Sequence, residues 1–441
     1  MRGFFLVLGA AAVVSVAAGR PAQGDDLSNR VEELTRQAAP KVVQWRRDFH
    51  AHPELGNREE RTARVVAEHL RAVGVDEIKT GVARHGVVAI IRGRLPGPTV
   101  ALRADMDALP IREETGLPFA SQNEGVMHAC GHDAHTAILL GAAQVLVQLR
   151  DSTAGTVKLI FQPAEESSPA GEEGGASLMV KEGVLRNPDV SAIFALHVNS
   201  ELPAGKIGYR YGPIMAAVDH FRVTVKGKQS HAAMPWQGVD PIVTSAHVIT
   251  ALQTIASRKV DARESVVVSV GVVRAGTAWN IIPGEATFEG TVRTHNPEVR
   301  KQVAKEFRRI VEQTAIAHGA TAEVAYHDYG PAVRNDPELG RRMKPALVRA
   351  AGEANVVEVE PVMGGEDFSH YAEKIPGFYV FLGVRNEAIG AVHGVHTPHF
   401  VLDEAALPVG VRTLSLLAIE YLRMESEKAE RPPRPAGRSG R

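Results

Sequence analysis

The segment MHACGHDAH at residues 127–135 gathers His128, Cys130, His132, Asp133 and His135 in a chain with 1 Cys and 18 His. Thiolate and imidazole are preferred zinc ligands, and a Cys-x-His spacing turns both side chains to one side of an extended loop. The ordinary alternative is a histidine-rich loop around a small buried thiol. A second group, QPAEE at 162–166, ends an apolar run with the paired carboxyls of Glu165 and Glu166. Such a pair can divide its work, one carboxylate ligating a metal and the other moving a proton, although most Glu-Glu pairs are solvated turns. His197 ends another apolar run, ALHVN, where a lone histidine is more often a core residue. HGVHTPHF at 393–400 adds His393, His396 and His399 before a turn marked by Pro398. None of these signals decides the matter alone.

Groups so far apart in sequence need a scaffold that gathers them. Residues 27–75 carry apolar positions at helical spacing up to Gly74, and 135–150 reads as a further helix. The runs 86–93, 99–106, 155–166 and 190–199 read as strands. Hydrophobic strands alternating with helices predict an α/β sheet, at least partly parallel and covered by helices on both faces. In such sheets ligands bind beyond the carboxyl ends of the strands, where the chemical groups above fall. From about residue 216 the order becomes β-α-β-β-α-β, the split βαβ arrangement of a small ferredoxin-like domain. The expected organisation is a catalytic domain over 27–215 and 331–426, interrupted by an inserted domain over 216–330.

Composition narrows the function class. The chain has 441 residues, 44% hydrophobic and 23% charged, with 50 Lys+Arg against 51 Asp+Glu. That balance offers no global electrostatic signal for nucleic acid or anionic lipid, and 5% aromatics supply no evident base-stacking platform. A single cysteine excludes an intrachain disulfide. Residues 1–18 combine a basic start, a hydrophobic run and small residues, as in a cleaved secretory signal; the run is short for a membrane anchor. The expected location is therefore secreted or periplasmic. Residues 427–441 are basic, rich in Pro and Gly, and read as a disordered tail.

The ordered segments WRRDFHAHPELGNREERTA (45–63), ALRADMDALPI (101–111), MHACGHDAH, FQPAEE, LHVNSELPAGKIG, GKQSHAAMPWQGVDPI (227–242), GTAWNIIPGEATFEGTVRT (276–294), GGEDFSHY (364–371) and VHTPHF resemble one family. It is the dinuclear-metal amidohydrolase family, in the branch of hippurate hydrolase, bacterial aminoacylase and plant indoleacetyl-amino-acid hydrolase. The resemblance runs from about residue 41 to 423. It implies a zinc-exopeptidase-like catalytic domain with an inserted ferredoxin-like lid, and two divalent ions, zinc or manganese with cobalt as a further candidate. The implied ligands are Cys130 as the bridge, His132, Glu166, His197 and His396. Glu165 is the implied base. Asp105 or Asp107, Asp133 and Glu366 are implied to orient these groups. In the lid, His231 corresponds to an oxyanion-stabilising histidine that often crosses a dimer interface, and Asn280 and Arg293 to residues that hold substrate. A homodimer through the lid is the implied assembly. The implied reaction is hydrolysis of an N-acyl or N-aroyl amino acid to a carboxylic acid and an amino acid. A dipeptidase or carboxypeptidase on the same site, and a catalytically silent binding protein, are the alternatives.

Overall fold

The computed structural model describes residues 23–430, so the leader expected over 1–18 lies outside the described residues. The tail expected from 427 begins inside the last helix, which runs to Glu430; the rest of it also lies outside them.

The segment read as one helical stretch is two helices, α1 (Gln23–Ala51) and α2 (Glu60–Val73). Val31, Ala38, Val42, Trp45 and Phe49 recur at helical spacing along α1 and are buried. Pro53 disfavours helical backbone at His52, which ends α1, and Gly74 supplies the left-handed cap of α2. The chain continues through β1 (Glu77–Val82), β2 (Gly86–Arg92), β3 (Leu95–Asp105), α3 (His132–Gln148), β4 (Ala154–Gln162), α4 (Gly175–Lys181), β5 (Val190–Pro203), β6 (Ile207–Tyr209) and β7 (Gly212–Met215). A second group follows: β8 (Ala217–Lys226), β9 (Ser230–His231), α5 (Pro241–Leu252), β10 (Val266–Ala275), β11 (Ile281–Ile282), β12 (Glu285–Thr294), α6 (Pro297–Ala317) and β13 (Thr321–Gly330). Last come β14 (Val333–Asn335), α7 (Pro337–Ala351), β15 (Val356–Glu358), α8 (Ser369–Ala372), β16 (Gly377–Arg385) and α9 (Leu407–Glu430).

The larger sheet is mixed, in the order β1-β2-β4-β3-β5-β16-β6-β15. Its centre, β4-β3-β5-β16, is parallel, and β16 is buried along nearly its whole length. Strands buried on both faces need cover on both. Val100 and Leu102 of β3 join the core shared with α1, α2, α3, α7 and α9. Ala101, pointing the other way, joins the core with Met179 of α4 and Phe368 and Tyr371 around α8. Helix α9 is long and apolar enough to cross a membrane, but most of it is buried against α1, α3 and α7, so it is a core helix.

Residues 217–330 form a four-stranded antiparallel sheet in the order β10-β12-β8-β13. Phe221, Val223, Val225, Phe288 and Val292 bury one face of it together with Val248, Leu252, Val303 and Phe307 of α5 and α6. This is the βαββαβ arrangement legible in the sequence. Where the chain leaves and re-enters the larger sheet, β7 and β14 pair with each other.

Candidate metal centre and active site

The parallel strands bring their carboxyl ends to one edge, and the chemical groups collect there. β3 ends at Asp105, with Asp107 just beyond. β4 ends at Gln162 rather than at Glu166 as the sequence suggested, because Pro163 has no N–H for the ladder. Ala164 then takes φ +52°, a left-handed turn that costs a residue with a Cβ roughly 1–2 kcal/mol. Cys130 lies in a turn rather than an extended loop; Gly131, at φ +86°, caps α3, and His132 is the first residue of that helix. His396 is also left-handed, at φ +62°, and its N–H donates to Ala129 O at 2.8 Å, tying the late loop beside Cys130. Strain of this kind concentrates where a side chain must be held in one place.

Six side chains converge. Cys130 Sγ is 3.3 Å from His197 Nε2 and 3.3 Å from His396 Nε2. His396 Nε2 is 3.0 Å from Glu166 Oε1, and His132 Nε2 is 3.9 Å from both Glu165 Oε2 and Glu166 Oε1. Two triads share the thiol: Cys130 with His132 and His197, and Cys130 with Glu166 and His396, each with its ligand atoms within 4.8 Å of one another. One sulfur common to two donor sets is the arrangement a bridging ligand needs. His132 Nε2 is buried with no hydrogen-bond partner among the described residues, as the donor atom of a cation ligand would be.

The candidate ligands are oriented from behind. His132 Nδ1 lies 3.2 Å from Asp107 Oδ1, while Asp107 Oδ2 accepts the Glu166 N–H at 2.9 Å. Asp105 is farther from His132 Nδ1, at 3.9 Å; it lies 2.6 Å from His135 Nδ1. His135 Nε2 in turn accepts the Val198 N–H at 2.9 Å, beside His197. His197 Nδ1 donates to Val198 O at 2.7 Å, which leaves Nε2 free to face the thiol. Arg46 Nε and His50 Nδ1 each reach Asp133 Oδ2 at 2.8 Å, anchoring the start of α3. Glu366 accepts from Arg103 at 2.9 Å and from the Tyr379 hydroxyl at 2.5 Å. His393 and His399 pack ring to ring at 5.4 Å and take no part in the cluster.

The electrostatics are those of a site with excess negative charge. Burial, and then the charges of Glu366, Glu166, Asp367 and Asp105, push the Glu165 carboxyl well above the ordinary range. Burial and the charges of Glu166 and Glu165 likewise push the Cys130 thiol up, so its thiolate needs cations beside it. Burial lowers His197 to about 4, keeping it neutral and able to ligate. The buried guanidinium of Arg103 answers part of the charge, donating to Asp105 at 2.7 Å and to Glu366 and Asp367 at 2.9 Å each. The sequence reading did not single out Arg103, Asp367, Tyr379, Arg46 or His50. For Arg103 a signal existed: in RAD it shares a strand face with Asp105.

A cavity of about 670 Å³ opens above these groups, lined by Cys130, Glu165, Glu166, His197 and His396 and, from the four-stranded sheet, by Val218, Thr291 and Arg293. Arg293 pairs with no carboxylate among the described residues; its Nε donates to Thr291 Oγ1 at 3.0 Å, and burial pushes its pKa down. His231 and Asn280 do not line this cavity. They sit on the exposed β9–β11 ribbon, beside Trp236 and Trp279, which are 76% and 95% exposed. Within one chain the structure therefore brings together the ligands, Glu165 and Arg293, and leaves His231 and Asn280 apart.

Known proteins share this architecture. A model of peptidase family M20/M25/M40 matches residues 101–420. The N-acetylcysteine deacetylase of Bacillus subtilis is 42% identical over 382 residues, covering 87% of this chain and 97% of that protein. Thermostable carboxypeptidase 1 of Saccharolobus solfataricus is 42% identical over 398 residues, covering 90% and 99%. The crystal structure of a Bacillus subtilis dinuclear metal-binding peptidase of the M20 family superposes with a TM-score of 0.75 at 41% identity, covering 88% of this chain and 99% of that one. With its thiol-centred pair of donor sets and this coverage, the chain belongs to the peptidase M20/M25/M40 family and is a metal-dependent amidohydrolase.

Proposed function

We propose that the enzyme hydrolyses N-acyl or N-aroyl amino acids to a carboxylic acid and a free amino acid. The observation that carries this reading is Arg293, a half-buried guanidinium with no carboxylate partner among the described residues, in the same cavity as Glu165 and the donor sets. Its planar fork suits the carboxylate of an amino acid product. Met215, Val218, Val267, Met363 and Val395 give the cavity an apolar wall that suits an acyl group, alongside the carboxylates of Glu366 and Asp367. A dipeptidase or carboxypeptidase remains the second reading, favoured by the carboxypeptidase relative.

Cys130, His132 and His197 would hold one divalent ion, and Cys130, Glu166 and His396 the other. Thiolate and imidazole favour zinc, while the carboxylate admits manganese or cobalt. Such ions, when bound, lower the pKa of water toward ~7 and polarise the amide carbonyl. Glu165 accepts the proton from the attacking water and delivers it to the leaving nitrogen. Arg293 fixes the substrate carboxylate. Asp107 and Asp105 hold the imidazoles, and Glu366 and Asp133 hold the elements around them.

The four-stranded domain acts as a lid that swings about the β7–β14 pair, and a second copy of the chain meets it to form a homodimer. The exposed Trp236, Trp279, Met234 and Ile281 around His231 and Asn280 support this contact, which carries both residues to the partner's cavity. The hydrophobic run within residues 1–18 supports export, to the periplasm or the medium, without a stable membrane anchor.

The test compares turnover of acetyl- and benzoyl-amino acids with that of free-amino dipeptides, in the wild type and in Glu165→Gln. Preference for the acylated substrates, abolished in Glu165→Gln with its metal content unchanged, is the expected result. Preference for dipeptides would establish the second reading, and an active Glu165→Gln enzyme would refute the assignment of the base.

A further inference from the structure

The motif HAHPELGNREE at 50–60 contributes no ligand, base or substrate contact, yet its middle is buried against the turn that carries Glu165. Glu59 is fully buried, and its Oε1 accepts the Ala164 N–H at 2.7 Å. Ala164, at φ +52°, directly precedes Glu165. On the other side of the same turn, Asp107 holds the Glu166 N–H at 2.9 Å. The rest of the motif closes on the loop that follows. A Cβ at Gly56 would meet Ser167 O at 2.0 Å, and Asn57 Nδ2 donates to Glu173 O at 3.1 Å. Glu59 Oε2 is buried with no hydrogen-bond partner among the described residues. A merely space-filling role would be met with less desolvation by an apolar side chain.

We propose that Glu59 is a positioning residue for the hydrolysis: by accepting the Ala164 N–H it locks Ala164 in its left-handed turn and so holds the Glu165 carboxyl in place for proton transfer. The inference rests on the reading of Glu165 as the base. An alanine released from such a turn relaxes toward negative φ, because its Cβ crowds the backbone in the left-handed region. The rotation would carry Glu165 off its line to the reacting atoms, and a displacement of about 1 Å costs roughly 100-fold in rate. Burial and the charge of Asp107 push the Glu59 carboxyl up to about 8, so at neutral pH the protonated form prevails and glutamine is its close mimic.

The test uses the metal-loaded enzyme and the substrate that the wild type turns over best. Glu59→Ala is expected to lower kcat by roughly 10- to 100-fold, with KM within about twofold and bound metal unchanged. Glu59→Gln restores kcat to within about threefold of wild type, because its amide oxygen still accepts the N–H. In an Ala164→Gly background, where the turn carries no steric strain, the loss from Glu59→Ala shrinks. If Glu59→Ala does not fold, Glu59→Met fills the space without an acceptor and carries the same expectation. Normal kcat in Glu59→Ala, failure of Glu59→Gln to rescue, or an equal loss in the glycine background would overturn the proposal. Glu165→Gln, measured alongside, separates the two claims: if it is active the base assignment fails, and if it is inactive while Glu59→Ala is normal only the positioning role fails.

Discussion

Asp107 touches both halves of the metal centre: its Oδ1 lies 3.2 Å from His132 Nδ1, and its Oδ2 accepts the N–H of Glu166 at 2.9 Å. The first contact fixes the imidazole tautomer that leaves Nε2 as a ligand, and the second sets the direction of the Glu166 carboxylate. A single carboxylate thus orients one candidate ligand from each donor triad. Asp107→Ala is expected to weaken divalent-ion affinity by about 10- to 100-fold, measured by competition with a chelator. Unchanged affinity would mean that the ligands hold themselves.

Arg293 has no carboxylate partner among the described residues, and its guanidinium is proposed to hold the substrate carboxylate. A charged hydrogen bond of this kind contributes roughly 1.5–3 kcal/mol. Arg293→Ala should therefore lower kcat/KM for N-acyl amino acids by about 10- to 150-fold. The same acyl amino acids with their carboxylates amidated should lose little. Equal losses for both substrate sets would assign Arg293 a structural role.

Cys130 is buried among carboxylates and becomes a thiolate only beside cations. Chelation should open it to stepwise oxidation, so peroxide inactivates the chelated enzyme irreversibly while the metal-loaded form resists. The check is activity recovered after the metal is restored. Equal sensitivity of the two forms would count against thiolate ligation.

His231 and Asn280 lie on an exposed ribbon outside the cavity of their own chain. If a second copy supplies them, Glu165→Gln and His231→Ala chains, each inactive alone, should complement when mixed. Equal amounts restore about a quarter of wild-type activity, because half the dimers are mixed and each has one competent site. No recovery after subunit exchange would rule out a shared site.

Glu59 supplies a pH signature. An acid raised from about 4.3 in the unfolded chain to about 8 in the fold binds its proton more tightly when folded. The contribution of Glu59 to stability therefore falls as pH rises from about 4 to about 8, by up to about 1.4 kcal/mol per unit. Glu59→Gln removes this dependence. Its melting temperature relative to wild type should climb between pH 5 and 8 and level off above. A difference independent of pH would show that Glu59 is ionised in the fold.

How far the sequence carried this picture depends on the range of the signal. The alternation of β8 and the helical spacing of α6 are local patterns, and they gave the βαββαβ order directly. The break between α1 and α2 was also local, at Pro53, but the apolar periodicity on either side ran through it. Cys130 and His132 stood out because the one thiol of the chain sits among clustered imidazoles, whereas His197 read on its own as a core histidine and became a ligand only through the family resemblance. What gathers them was not legible. The parallel order that sets β4 beside β3 and β16 beside β5 is a long-range pairing that no single segment encodes. Arg103, His50 and Glu59 escaped notice for the same reason: a buried charge is recognisable only once its partners are in space. The Cys-x-His loop was misjudged because Gly131 permits a turn at φ +86°, so the two ligands meet through a helix start and not along a strand.

The most direct measurement is a crystal structure of the metal-loaded enzyme with anomalous maps recorded at the absorption edge of its native ion. Two peaks are expected, both adjoining Cys130 Sγ, one between His132 and His197 and the other between Glu166 and His396. A single peak, or two that do not share the sulfur, would contradict the account.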